Sequence, residues 1–150
     1  MKAGLGLPAL ALGVLLAQPL SAGVSELEAR LRCEHSAGPG RVLCELTTRA
    51  PTGKLVWSDA LVVRAPGFAR PLRSRFVAQL GASSEKGAAW AKLALVASGP
   101  GQGQLELLAR GVVCHDGPTG ESCRAVAVPV SAALVVGEGA APAPAPAPAP

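Results

Sequence analysis

Cys114 and Cys123 flank the turn Gly117-Pro118-Thr119-Gly120, in which Pro118 takes the second position, where its fixed φ fits. In that register Asp116 faces Glu121, His115 faces Ser122 and Cys114 faces Cys123, so a disulfide forms readily. The chemistry open to such a pair is thiol–disulfide exchange, which requires a sulfur that an incoming thiolate can reach. Cys123 shares its parity with Ala125, Ala127 and Ser131, whereas Val126, Val128, Val130 and Leu134 form the apolar side. Cys114 falls on the parity of Gln104, Glu106 and Arg110. Both cysteines are therefore expected on the open face of a hairpin, with Cys114 the reactive member and His115 beside it to assist ionisation. Asp116 and Glu121 oppose that ionisation by like-charge repulsion, which favours a plain structural staple.

The other two cysteines lie in alternating segments. Leu27, Ala29, Leu31 and Cys33 share one face, as do Val42, Cys44, Leu46 and Thr48, so Cys33–Cys44 is expected as a buried bridge. A type II turn at Pro39-Gly40 would instead set Cys33 opposite Leu46. Each local disulfide closes a loop of about ten residues and should contribute about 2–3 kcal/mol in the loop-entropy description. A Cys44–Cys114 bond is the alternative pairing.

Cys114, His115, Cys123 and His35 offer sulfur and nitrogen donors, but their spacing matches no standard metal site, and adjacent strand residues point to opposite faces. No metal and no cofactor are expected. Arg64, Arg70, Arg73 and Arg75 around Phe68 form a basic stretch that could contact a polyanion or membrane head groups, or simply be solvated. There is no phosphate-binding glycine loop, no nucleophile elbow and no paired nucleophile and base. No catalytic residue is assigned. The formal charge of +4, from 14 basic and 10 acidic residues, is too small to imply nucleic acid.

Lys2 precedes an apolar run, Leu5 to Leu16, and the small-residue end Ser21-Ala22, a pattern that predicts a signal peptide over residues 1–22. The run is too short and too broken by Gly6, Pro8 and Gly13 for a membrane span. Four cysteines then fit an oxidising compartment, periplasmic or extracellular. Residues 23–137 suit one domain. Residues 138–150 end in an Ala-Pro alternation that favours a solvated polyproline II spacer.

Within that domain the pattern predicts seven strands: Glu26–Glu34, Arg41–Arg49, Leu55–Arg64, Arg73–Leu80, Trp90–Ser98 and the two arms of the cysteine hairpin. Trp57 is expected to anchor core contacts on the third. Ala88–Ala97 is rich enough in alanine to admit a helix, but the turn spacing favours a strand. The expected fold is all-β, a two-sheet antiparallel immunoglobulin-like sandwich. The order Cys44, Trp57, Cys114 is similar to that of true immunoglobulin domains, although Val112 stands where their tyrosine corner would be.

The run Val112-Val113-Cys114-His115-Asp116, with Glu121-Ser122-Cys123 and Ala127-Val128-Pro129-Val130, resembles the cysteine hairpin in the N-terminal immunoglobulin-like domain of the bacterial thiol:disulfide interchange reductase. The match covers about 25 residues, and the loop lacks that family's aromatic residues. The resemblance implies a periplasmic relay in which Cys114 and Cys123 pass electrons to thioredoxin-like partners. The residues themselves favour a different role: an exported, non-enzymatic binding or accessory module of the cell envelope, acting on a protein or other envelope component.

Overall fold

Apolar and polar residues alternate along most of this chain, and a pleated strand is the backbone form that sends such residues to opposite faces. The computed structural model describes residues 25–81 and 88–138. The expected signal peptide, residues 1–22, lies outside the described residues, as do residues 82–87 and all of the Ala-Pro tail but Glu138.

Nine strands are described: β1 (Glu28–Cys33), β2 (Gly40–Arg49), β3 (Lys54–Arg64), β4 (Ala69–Pro71), β5 (Arg75–Val77), β6 (Gln79–Leu80), β7 (Ala88–Ala97), β8 (Gly101–Gly117) and β9 (Gly120–Val136). They form two antiparallel sheets. One runs β1-β2-β7-β4, with β6 also paired to β7, and the other runs β5-β3-β8-β9. The fold is thus the expected all-β antiparallel sandwich. The paths β1-β2-β7-β4 and β3-β8-β9 follow the strand order of an immunoglobulin-like sandwich, with β6 added beside β7 to make five strands on one sheet and β5 outside β3 to make four on the other.

The strand count differs from seven for a physical reason. Arg73–Leu80 switches sheets midway: β5 pairs with β3, β6 pairs with β7, and Ala78 between them donates its N–H to Ser58 O at 3.0 Å. Phe76 and Ala78 are buried at that crossing and close one side of the sandwich. Ala69–Pro71, expected as loop, pairs with the end of β7. Ala88–Ala97 is a strand, because period two buries Ala89, Ala91, Leu93, Leu95 and Ala97 together.

The core lies between the sheets and is built on Leu27, Val42, Leu46, Leu93, Leu95, Leu105, Leu107, Val113 and Leu134. Trp57 is not among them. A bulge between Leu55 and Trp57 shifts parity, so Leu55, Ser58 and Ala60 face inward and Trp57 faces outward. Across the core the buried hydroxyls of Thr48 and Ser58 satisfy one another at 2.9 Å. The other side of the sandwich is stitched where Ser36 bridges Val136, and His35 Nε2 donates to Gly137 O at 2.8 Å.

Candidate functional site

The β8–β9 hairpin has the register anticipated from its turn: Gly117 opposite Gly120, Asp116 opposite Glu121, His115 opposite Ser122 and Cys114 opposite Cys123. Gly120 has φ 118°, a left-handed conformation that a side chain rarely adopts. Cys114 and Cys123 are disulfide-bonded, and so are Cys33 and Cys44, which are paired across β1 and β2. The inter-sheet pairing of Cys44 with Cys114 does not occur. Two intramolecular disulfides are compatible with an oxidising location outside the cytoplasm.

Exposure divides the hairpin pair unevenly. Cys123 is exposed, but Cys114 is 3% exposed, so the sulfur open to attack belongs to Cys123 and not to Cys114. His115 projects from the opposite face of β8 and lies over Gly53, where an added Cβ would meet its ring at 2.7 Å. Glu121, not His115, is the titratable group beside the sulfurs: its carboxylate and both Sγ atoms lie within 4.8 Å of one another. His35 sits at the far end of β9 from this cluster, on the carbonyl of Gly137, so the four cysteine and histidine donors do not converge.

A second constellation occupies the outer face of β3 and β8. Because Leu105, Leu107 and Ala109 face the core, Glu106, Leu108 and Arg110 face out. Register then lays Val77, Asp59, Arg110 and Ala127 across the sheet in one row and Arg75, Leu61, Leu108 and Pro129 in the next. Asp59 is completely covered, not by core residues but by two guanidinium groups. Its carboxylate accepts hydrogen bonds from Arg75 Nε at 2.6 Å, Arg110 Nε at 2.8 Å and Arg110 Nη2 at 2.5 Å. Both guanidinium carbons also stand over the Trp57 ring, 6.0 and 5.8 Å from its centroid.

Burial pushes the Asp59 carboxyl up, but the hydrogen bonds and positive charges of Arg110 and Arg75 outweigh it and hold the group below its usual range. The same hydrogen bond raises Arg110 further, against a smaller opposing desolvation. The cluster therefore stays ionised at neutral pH and carries one net positive charge. Among the described residues Arg75 bonds Asp59 through Nε alone and Arg110 leaves Nη1 unengaged, so donors remain for a ligand.

Beside the cluster a groove of about 580 Å³ is lined by Val63, Gln104, Glu106, Leu108, Pro129 and Ser131. Val63 and Val77 are each 65% exposed on this face. The four arginines expected as one basic loop are distributed differently. Arg64 pairs with Glu106 at 3.7 Å, Arg75 with Asp59, and Arg70 lies on β4 of the other sheet; among the described residues Arg70 and Arg73 make no ion pair. Phe68 is packed against the backbone of Gly101 and is not presented to solvent as a tip.

Sequence reasoning missed Asp59 and Arg110. The available signal was a lone carboxylate inside an otherwise apolar strand, Leu55 to Val63, which needs a cationic partner if it is to be buried. No protein-family model matches this chain, and no curated protein matches it significantly. No helix among the described residues is long and apolar enough to cross a membrane.

Proposed function

We infer that the chain is an exported, non-enzymatic binding or accessory module of the cell envelope, and that it engages its partner through the outer face of β3 and β8. The observation that carries the reading is the combination on that face of two highly exposed valines, an apolar groove and two arginines clamped over Trp57 by a buried carboxylate. An exposed apolar patch marks an interaction site when polar anchors rim it, and Trp and Arg are favoured anchors of interfaces. The clamp orients the remaining guanidinium donors before any partner arrives, which lowers the ordering cost of binding. The complementary partner is a protein segment with apolar side chains flanked by carboxylates.

Selection of displayed peptides on the purified protein tests this. Binders should combine apolar residues with Asp or Glu, and Val63→Asp should abolish their binding without moving Tm, since Val63 buries little. Selected peptides without acidic enrichment, or indifferent to Val63→Asp, would remove the reading. Export is tested by the N-terminus of the protein recovered from the envelope or medium, which should be Gly23.

A second reading, a thiol:disulfide relay, is favoured by one observation: Cys123 is exposed while Cys114 is covered, so an incoming thiolate would attack Cys123 and expel Cys114. A relay pair would have a potential in the range of oxidoreductases, whereas a staple would lie below about −300 mV. The Glu121 carboxylate beside the sulfurs disfavours a thiolate leaving group and supports the staple. Equilibration with a dithiol buffer, with free thiols trapped and mapped, separates the two.

A further inference from the structure

Strand alternation and the hairpin register place four anionic donors on one face of the β8–β9 tip. Cys114 and Asp116 share a face of β8, Glu121 and Cys123 share a face of β9, and the register sets Cys114 opposite Cys123 and Asp116 opposite Glu121. In the oxidised hairpin the two sulfurs are held together by their disulfide, and the Glu121 carboxylate lies within 4.8 Å of both. Asp116 and Glu121 are exposed, so a fourth donor can swing in from the adjacent rung of the ladder.

We propose that, once the hairpin disulfide is opened by a dithiol reductant, Cys114, Cys123 and Glu121, with Asp116 as the fourth donor, bind a tetrahedral divalent zinc ion. This set differs from the cysteine–histidine set weighed on the sequence, since neither histidine takes part. Zinc accepts thiolate and carboxylate ligands in tetrahedral sites, whereas calcium and magnesium take oxygen alone. With Zn–S bonds of about 2.3 Å, two sulfurs of a tetrahedron stand about 3.8 Å apart. Directly opposed cysteines reach that separation by side-chain rotation, with the backbone ladder unchanged.

The redox balance is simple. The dithiol gives two electrons and two protons, becomes its cyclic disulfide, and leaves Cys114 and Cys123 as thiols. Zinc binding then releases those two protons, and Glu121 coordinates through its carboxylate. The hairpin is thereby cross-linked in both states, by a disulfide under oxidising conditions and by a metal under reducing ones. The Cys33–Cys44 pair lacks such donors: Leu31 and Leu46 occupy the neighbouring rung on one side, and on the other Val42 is buried and His35 is turned to the carbonyl of Gly137.

The test uses the full chain, reduced with dithiothreitol, desalted without oxygen and titrated with Co²⁺. One equivalent should give the visible bands of tetrahedral cobalt and a thiolate charge-transfer band, which Zn²⁺ displaces, while the oxidised chain gives neither. Glu121→Gln, at an exposed position that keeps the disulfide and so the fold, should weaken Co²⁺ binding about tenfold or more. Cys114→Ser with Cys123→Ser, which retains Cys33–Cys44, should give no thiolate band. Failure of the reduced chain to bind, equal affinity in Glu121→Gln, or a thiolate band surviving in the double serine variant would each overturn the proposal.

Discussion

Replacing Asp59 with Asn keeps the shape of the side chain and removes the charge that two guanidinium groups share. The carboxylate accepts three hydrogen bonds from cationic donors and is completely covered, so its loss falls on a shielded group. Hydrogen bonds to charged groups contribute about 1.5–3 kcal/mol each when shielded. The guanidinium groups are partly solvated, which screens the interaction and reduces each bond toward about 1 kcal/mol. The Asn variant should therefore be destabilised by about 2–3 kcal/mol at pH 7 and lose about 8–12 °C in Tm for a domain of this size. The pH dependence identifies the cause. Asp59 has a folded pKa below its unfolded value of 3.8, so its contribution is fully present above about pH 5. It is lost as pH falls through the folded pKa. Urea denaturation of both proteins from pH 7 down to pH 2.5 should show a constant gap above about pH 5 that narrows steadily as pH falls below the unfolded value of 3.8. A gap below about 0.5 kcal/mol at pH 7, or one that persists unchanged in acid, would refute the account of the cluster.

Two further perturbations test the scaffold. Gly53→Ala should lower stability by about 1–3 kcal/mol by thermal denaturation, because φ is 86° there and the new Cβ would sit 2.7 Å from the backbone oxygen of Cys114, which cannot turn aside. Thr48→Val should cost about 1–3 kcal/mol by leaving the buried Ser58 hydroxyl unpaired, Ser58→Ala should cost less because the Thr48 hydroxyl still donates to Ala89 O at 3.4 Å, and the double variant should recover most of the Thr48→Val loss, measured as a double-mutant cycle in urea.

The parts of the fold that were legible in the sequence are those fixed locally. The Pro118-Thr119 turn between two glycines sets the β8–β9 register by itself, and with it the Cys114–Cys123 pairing. Parity alone identified Cys33 and Cys44 as inward-facing partners. The turn chemistry pointed the other way: Gly40 has φ 131°, but the longer loop from Glu34 to Pro39 restores Cys33 opposite Cys44.

What was not legible depends on contacts distant in sequence. Trp57 follows a bulge that nothing in the run Leu55-Val56-Trp57 announces, since each is apolar on either parity. Arg73–Leu80 alternates like one strand, yet β3 captures its first half and β7 its second. Asp59 meets Arg110 from a strand 51 residues away, and Arg75, which resembled a free surface charge, is its other partner. The burial of Cys114 likewise contradicts its polar parity and moves the exposed sulfur to Cys123.

The central claim is that the outer face of β3 and β8 is the binding surface, and photocrosslinking in the cell tests it most directly. A diazirine amino acid at position 63 or 77 lies on that face, while one at position 47 or 92 lies on the exposed face of the opposite sheet. The account predicts a discrete adduct from positions 63 and 77 and none from 47 and 92. Adducts confined to 47 and 92, equal from both faces, or absent from 63 and 77 would contradict it.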